Sequence, residues 1–237
     1  MRRSLIHITP GGLGVHTASF VAGLPVAFGP RDEPYRAVAW KVFNQVVAAL
    51  LLLLFSPLMA VIAICIWRVD GAPIVFAHYR VGMGGKVFPC LKFRSMVRNS
   101  EQVLQELLRS DPAARDEWIR EQKLSNDPRI TPIGRILRKL SLDELPQLFN
   151  VLRGEMNLVG PRPIMLCELP RYGQVRWHYL SVKPGMTGLW QVSGRNSTSY
   201  EERVELDRNY VEKRSEWLDI CILFRTLGVV ISGHGAQ

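Results

Sequence analysis

The feature that most constrains this chain is an apolar segment, residues 42–67, that contains no charged side chain. About 20 predominantly apolar residues are enough to span a bilayer as a helix, so the segment predicts a membrane helix. Ser56-Pro57 stands in its middle. Because proline lacks an amide donor and clashes with the preceding helical turn, we expect the helix to kink or break there. The two halves, 42–55 and 58–67, are expected to be about 21 Å and 15 Å long, and neither crosses a hydrocarbon core of about 30 Å.

The basic residues on either side of this segment give no orientation signal. Three precede it and three follow it: Arg31, Arg36 and Lys41, then Arg68, Arg80 and Lys86. A membrane-spanning helix usually has an excess of basic residues on one side. Equal flanks favour a re-entrant helix, which enters the membrane, bends at Ser56-Pro57 and leaves on the same side. A kinked helix that spans the membrane, with a short outside tail, is the alternative.

The rest of the chain is long enough for one sizeable domain with its own core. The formal net charge of +9 favours anionic partners, such as nucleic acid, phosphorylated small molecules or an anionic membrane. The four cysteines have no metal-ligand spacing and are interpreted as reduced packing residues. Residues 1–34 are rich in Gly, Ala, Pro and Ser without periodicity, which predicts a disordered tail rather than a signal peptide.

The segment after the apolar run has the pattern of a β-hairpin followed by helices. Strands are predicted at 74–81 and 87–93, joined by the glycine-containing turn at 82–85. Lys92 and Arg94 alternate with apolar residues, so the second strand can direct both cations to one side. Helix start signals predict helices at 101–109, 112–123, 133–139 and 200–213. A last, mostly apolar helix at 217–231 is expected either in the core or at a membrane surface.

Two adjacent carboxylates stand in the sequence SLDELPQLFNVLRG, residues 141–154. The leucine spacing predicts a helix that ends before Gly154, with Pro146 in its first turn, so Asp143 and Glu144 lie at or just before its start. One interpretation is helix capping, because Ser141 and Glu144 have capping-box spacing. The other is chemical. A helix start stabilises a phosphate, one carboxylate can attack phosphorus, and the other can hold Mg²⁺.

Several motifs occur in a fixed order along residues 41–232. They are Ser56-Pro57, LKFRSM (91–96), RKLSLDELPQL (138–148), GEMNLVGPRP (154–163), KPGMTGLWQVSGRN (183–196), LDRNYV (206–211) and WLDI (217–220). In this order they resemble the bacterial monotopic phosphoglycosyl transferases, the polyprenyl-phosphate sugar-1-phosphate transferase family. The chain is most similar to the branch that initiates exopolysaccharide synthesis. The resemblance implies a helix-rich α+β fold: a re-entrant membrane helix at 35–68, then a small cytosolic catalytic domain at 69–237 with a short β-hairpin and interfacial helices.

The resemblance also implies an activity. In that family the Asp of the Asp-Glu pair, here Asp143, attacks the β-phosphate of a UDP-sugar, expels UMP and carries the sugar phosphate as an acyl-phosphate. Undecaprenyl phosphate, or another polyprenyl phosphate, then accepts it. Glu144 matches the Mg²⁺ ligand. The family bends its membrane helix at the Ser-Pro pair and works at the cytosolic face of the bacterial inner membrane. A UDP-hexose carrying glucose or galactose is the expected donor.

Further site residues are predicted from their places in these motifs. Lys92, Arg94 and Arg138 are expected to bind phosphates, while Arg162, Gln191 and Arg195 are expected to contact nucleotide or sugar phosphate. A structural ion pair is the alternative for each cation. Nucleic acid is not an expected partner.

Three other functional classes are alternatives. A nucleotide-sugar glycosyltransferase often uses an Asp-x-Asp motif, and the sequence has no such pair. A Walker-type kinase needs a GK[ST] loop, which is absent as well. A non-enzymatic basic membrane adaptor explains the charge but not LDELPQ or GPRP.

Overall fold

The computed structural model describes residues 34–121, 124–194 and 198–232. The tail predicted at 1–34 lies outside them, apart from Pro34, which begins the first helix. The helices in chain order are α1 Pro34–Asp70, α2 Ser100–Ser110, α3 Pro112–Glu121, α4 Pro132–Lys139, α5 Gln147–Leu152, α6 Arg176–Leu180, α7 Leu189–Ser193, α8 Tyr200–Lys213 and α9 Glu216–Ser232. The strands are β1 Val75–Val81, β2 Val87–Phe93, β3 Asn157–Val159 and β4 Gly185–Thr187. Short 3₁₀ helices lie at Met83–Gly85, Leu142–Glu144 and Leu166–Val175.

Helix α1 continues across the Ser-Pro pair. It is a single helix of 37 residues with Pro57 inside it, so the predicted break into two helices is wrong. Pro57 leaves the carbonyl of Leu53, four residues earlier, without an amide donor. The hydroxyl of Ser56 donates to that carbonyl at 2.8 Å. The serine therefore satisfies the group that the proline exposes, and the helix can continue. A bend and a re-entrant course stay predictions.

Both ends of α1 are attached to the same domain. Near its start, the indole N–H of Trp40 donates to Asp219 at 3.1 Å, and the Asn44 side chain accepts from the amide of Leu158 at 2.8 Å. Near its end, Ile66 is buried in a cluster with Phe93. Most leucines of the middle are exposed, as at Leu50, Leu53 and Leu54. Among the described residues, α1 is the one helix long and apolar enough to cross a membrane.

The predicted β-hairpin is confirmed. Strands β1 and β2 pair antiparallel, with Phe76 opposite Lys92, His78 opposite Cys90 and Arg80 opposite Phe88. A second, parallel pair joins β3 to β4. The sequence did not predict it, because each of its strands has three residues and lies among glycine- and proline-rich turns.

The predicted helices are also present, and their boundaries agree closely with the sequence patterns. The helix predicted at 112–123 is observed as Pro112–Glu121, and residues 122–123 lie outside the described part of the chain. The last helix, α9, packs partly in the core, and its placement at a membrane surface stays a prediction. Ile222 is buried in the core, whereas Trp217, Phe224 and Leu227 are exposed. One face of α9 therefore packs on the domain, and another presents apolar side chains.

Candidate active site

The two adjacent carboxylates lie on the 3₁₀ helix Leu142–Glu144, just before α5. The capping-box interpretation is wrong, because Ser141 makes no side-chain capping bond and adopts a left-handed conformation with φ of 55°. Helix α5 instead begins at Gln147 after Pro146, with no side-chain cap. Asp143 is buried, at 8% exposure. No side-chain cap is present at the start of either helix, so capping does not account for the acidic pair.

Lys92 of strand β2 faces both carboxylates. Its Nζ lies 2.6 Å from Oε1 of Glu144 and 3.9 Å from Oδ2 of Asp143. Burial raises the pKa of Asp143 to about 6, against the opposing effect of the nearby cations Lys92 and Arg138. Burial alone would lower the pKa of Lys92, but the two carboxylates outweigh it and raise that pKa. At neutral pH the site holds an ionised aspartate beside a charged lysine.

A buried asparagine fixes β2 relative to the acidic pair. Asn150 of helix α5 is fully buried. Its side-chain oxygen accepts from the amide of Leu91 at 3.0 Å, and its Nδ2 donates to the carbonyl of Pro89 at 2.8 Å. Leu91, one of the two residues that Asn150 binds, directly precedes Lys92 in the chain. They join the strand that carries the lysine to the helix that follows Asp143, so Asn150 is a positioning residue.

Helix α4 brings Arg138 to the same place. Its N-cap Thr131 accepts from the amide of Gly134. Gly134 packs so closely on the carbonyl of Ser95 that an added Cβ would lie 1.9 Å from that oxygen. Nε of Arg138 donates to the Ser95 hydroxyl at 2.8 Å. The close approach of α4 to this segment therefore sets the position of the Arg138 guanidinium.

Arg94 has structural partners at the end of α1. Its NH2 group donates to the carbonyl oxygens of Asp70 and Gly71 at 2.9 Å and 2.6 Å, and it lies 3.3 Å from the Asp70 carboxylate. Its NH1 is buried without a hydrogen-bond partner. These contacts support the alternative of a structural ion pair for Arg94. Phosphate binding by Arg94 stays a prediction.

One cavity of about 790 Å³ contains these groups. Of the predicted residues, it is lined by Lys92, Arg94, Arg138, Asp143, Glu144, Arg162 and Gln191. Arg195 lies outside the described residues. Further cations that the sequence analysis missed line it as well: Arg80, Arg98 and Arg203. Its lining thus carries more cationic than acidic side chains, and an anionic ligand is favoured there.

Two of the arginines share an aromatic partner. The guanidinium carbons of Arg162 and Arg203 lie 5.0 Å and 4.3 Å from the ring centre of Trp190. Nε of Arg203 is buried without a hydrogen-bond partner. Burial lowers the pKa of Arg203, and the charge of Arg162 lowers it further. The two guanidinium groups repel each other at this part of the cavity wall. An anion bound beside them would offset that repulsion.

Asp207 holds the backbone of the segment that carries Arg162. Burial raises its pKa to about 7, while its carboxylate accepts from the hydroxyl of Tyr172 at 2.8 Å and from the backbone amide of Arg162. It fixes the GPRP segment rather than facing the cavity. Asp207 lies in the LDRNYV motif, whereas Arg203 lies in none of the motifs and belongs to an ordinary polar stretch of α8.

The acidic pair offers limited ligands for a metal ion. The described residues contain no group of three His, Cys, Asp or Glu side chains that could hold one. Mg²⁺ needs less, because it often binds one or two carboxylates and completes its shell with substrate phosphate oxygens and water. Asp143 and Glu144 converge on a single cation, the ammonium group of Lys92, and supply only oxygen atoms. This donor set fits Mg²⁺.

Comparison with known proteins places this chain in a family. The family described as "Bacterial sugar transferase" matches residues 35–233. The chain belongs to the bacterial sugar transferase family. This bacterial sugar transferase is 56% identical over 196 residues to "Undecaprenyl-phosphate galactose phosphotransferase" of Salmonella typhimurium, which covers 83% of this chain and 41% of that protein. The resemblance drawn from the motifs is thereby confirmed.

Two further relatives differ in length. "Exopolysaccharide production protein ExoY" of Rhizobium meliloti is 46% identical over 204 residues, covering 86% of this sugar transferase and 90% of the relative. "UDP-glucose:undecaprenyl-phosphate glucose-1-phosphate transferase" of Escherichia coli is 40% identical over 191 residues, covering 77% of this sugar transferase and 38% of the relative. The sugar transferase described here spans less than half the length of the Salmonella and Escherichia relatives.

Proposed function

We propose that this chain transfers hexose-1-phosphate from a UDP-sugar to undecaprenyl phosphate, giving undecaprenyl-diphosphate-hexose and UMP, and thereby initiates exopolysaccharide synthesis. The relatives are named for galactose or glucose phosphate transfer and for exopolysaccharide production, which supports this substrate class. The observation that carries the proposal is the buried Asp143, facing Lys92 in a cationic cavity. A hexose donor with galactose or glucose follows from the relatives' names.

In the first step Asp143 acts as the nucleophile. A carboxylate oxygen forms a bond to the β-phosphorus of the UDP-sugar, and the bond from that phosphorus to the bridging oxygen breaks. The electron pair leaves with UMP, and the aspartate carries the sugar phosphate as an acyl-phosphate. Lys92 and Arg138 lie close enough to offset the charge that develops on the phosphoryl oxygens. Ionised Asp143 is the reactive form, so its raised pKa sets the lower pH limit.

In the second step undecaprenyl phosphate takes the sugar phosphate. A phosphate oxygen of the lipid forms a bond to the same phosphorus, and the bond to the Asp143 oxygen breaks. The carboxylate is released for the next cycle. No proton is required by either step if all phosphates are ionised, which agrees with a cavity rich in arginine and lysine rather than in general bases.

Glu144 is the proposed Mg²⁺ ligand. When bound, the ion neutralises phosphate charge and orients the diphosphate. Glu144 is held by Lys92, so the lysine positions the carboxylate that would bind the ion. Asp143 stays available for attack because it lies farther from Lys92.

The proposed location is the cytosolic face of the bacterial inner membrane, with α1 entering and leaving on the same side. Both ends of α1 contact one domain, and the leucines Leu50, Leu53 and Leu54 between them are exposed. A helix that crossed the membrane would place one of these ends on the far side, away from the domain. The attachment of both ends therefore supports re-entry.

Product identity tests the proposal. The purified protein is incubated with undecaprenyl phosphate, Mg²⁺ and a panel of UDP-sugars, and the released nucleotide is identified. We expect UMP from UDP-galactose or UDP-glucose. Release of UDP would instead show a glycosyltransferase, and no nucleotide from any donor would favour the membrane adaptor.

A further inference from the structure

The side chains of strand β1 that line the cavity change from apolar to cationic along the strand. Phe76, His78 and Arg80 alternate with residues of the opposite face, so they lie on the same side of the hairpin, and all three line the cavity. Alternate residues of a strand are about 6.7 Å apart, which places Phe76 and Arg80 about 13 Å from each other. The strand therefore runs from an apolar end of the cavity to a cationic end.

The apolar end adjoins the membrane helix. Strand β1 begins soon after α1 ends at Asp70, and Pro73 in the connection also lines the cavity. Trp67 and Val69, in the last turns of α1, are 57% and 56% exposed. Phe76 is 53% exposed, so the core does not require its ring. Apolar surface thus continues from the helix to the mouth of the cavity.

The same ring stands beside the reacting groups. Phe76 is opposite Lys92 in the β-ladder, and Lys92 contacts the carboxylates of Glu144 and Asp143. Directly opposed residues of an antiparallel pair have Cβ atoms about 5 Å apart. A phosphate that reaches Asp143 therefore has an exposed aromatic ring within reach of whatever is esterified to it.

The other end suits a different ligand. Arg80 pairs with Glu168 at 3.4 Å, and the Arg162–Arg203 pair lies against Trp190. These groups favour a nucleotide with its phosphates and offer no apolar route for a lipid. The polarity of the two ends therefore separates the two substrates.

We infer that Phe76 contacts the isoprenoid chain of the lipid acceptor next to its phosphate, so that the chain leaves the cavity past Phe76 toward α1. This inference rests on the proposed function and assigns the acceptor side of its site. The occupant is a polyprenyl phosphate, because an anionic head group beside an apolar chain matches Lys92 beside Phe76. Phe76 is accordingly a determinant of acceptor affinity.

The two half-reactions separate this role from a structural one. Donor turnover is followed as the first-turnover release of UMP without acceptor, and acceptor turnover as the dependence of product formation on undecaprenyl phosphate concentration. For Phe76→Ala we expect wild-type donor turnover and a KM for undecaprenyl phosphate raised roughly tenfold, as loss of one buried aromatic contact implies. Phe76→Leu keeps an apolar side chain and is expected to lose less.

Tyr79→Ala is the matched control. Tyr79 lies on the same strand, is 67% exposed and does not line the cavity, so we expect both half-reactions to be unchanged. Equal acceptor KM values for Phe76→Ala and the wild type would overturn the inference, as would an equal loss in both half-reactions. An increase in acceptor KM in Tyr79→Ala that matches the one in Phe76→Ala would contradict it too. Absence of UMP release by the wild type even in the presence of undecaprenyl phosphate would instead overturn the proposed function.

Discussion

The ammonium group of Lys92 lies 2.6 Å from the Glu144 carboxylate and 3.9 Å from that of Asp143. A single cation therefore serves two carboxylates that the chain places side by side. Its charge counteracts the burial that raises the pKa of Asp143 to about 6. The nucleophile can then be ionised at neutral pH while remaining out of bulk water.

Removal of this cation is expected to change the pH dependence of the donor half-reaction. In the wild type, single-turnover UMP release should fall as the pH drops through about 6, because protonated Asp143 cannot attack. In Lys92→Met the pKa of Asp143 should rise by on the order of one unit, which moves this limb to higher pH. Lys92→Arg keeps the charge and is the control. An unshifted limb in Lys92→Met would show that Lys92 does not act on Asp143.

Arg203→Gln is expected to weaken donor binding. A hydrogen bond to a charged group contributes about 1.5–3 kcal/mol, so the KM for the UDP-sugar should rise about tenfold or more. The KM for undecaprenyl phosphate should stay near the wild-type value, the reverse of the pattern expected for Phe76→Ala. Steady-state kinetics with each substrate varied in turn check this.

Arg208→Gln serves as the control for that variant. Arg208 lies on the same helix, does not line the cavity and pairs with Glu205 on the surface of α8. Its loss should leave both KM values unchanged. A rise in both KM values for Arg203→Gln would mean that Arg203 supports the fold rather than the donor.

Asn150→Ala is expected to destabilise the domain. The substitution leaves the amide of Leu91 and the carbonyl of Pro89 without their buried partner. Each unsatisfied group costs about 1–3 kcal/mol, so a clear drop in the thermal midpoint should follow. Asn99→Ala is the control, because Asn99 is exposed and makes no side-chain capping bond. Equal midpoints for both variants would show that the Asn150 bonds contribute little.

Pro57→Leu tests how the membrane helix is shaped. Leucine restores an amide donor for the Leu53 carbonyl, which Ser56 now satisfies, and we expect the helix to straighten. Single cysteines placed in the flanks 37–41 and 71–74 would be labelled from the same side in the wild type and from opposite sides in the variant. Labelling of both flanks from the cytosol in Pro57→Leu would show that Pro57 is not the sole cause of re-entry.

Local patterns in the sequence predicted the elements that depend on neighbouring residues. The hairpin follows from alternation and a glycine turn, and α8 from the capping box of Ser199 and Glu202, which the structure contains. The same spacing at Ser141 and Glu144 misled, because the left-handed Ser141 turns the chain into a 3₁₀ helix. A spacing rule cannot register that conformation.

Contacts between distant parts of the chain were out of reach of such patterns. The hydrogen bonds of Asn150 to β2 join residues about sixty positions apart in the sequence. The hydrogen bond of Trp40 to Asp219 joins residues near the two ends of the described chain. The same holds for Arg203 and Trp190, whose partnership depends on how α7 and α8 pack. Lys92 belongs to the LKFRSM motif, so the sequence predicts it as a site residue. Its 2.6 Å contact with Glu144 depends on the three-dimensional fold and is not predicted by the motif.

The most direct test of the account is to trap the sugar phosphate on Asp143. UDP-hexose labelled in its β-phosphate is mixed with the protein and Mg²⁺ in the absence of undecaprenyl phosphate, and labelled protein is isolated and mapped by peptide analysis. We expect one equivalent of UMP with label on the peptide that contains Asp143, and neither in Asp143→Asn. UMP release only when undecaprenyl phosphate is present, with no labelled protein at any time, would contradict the covalent mechanism.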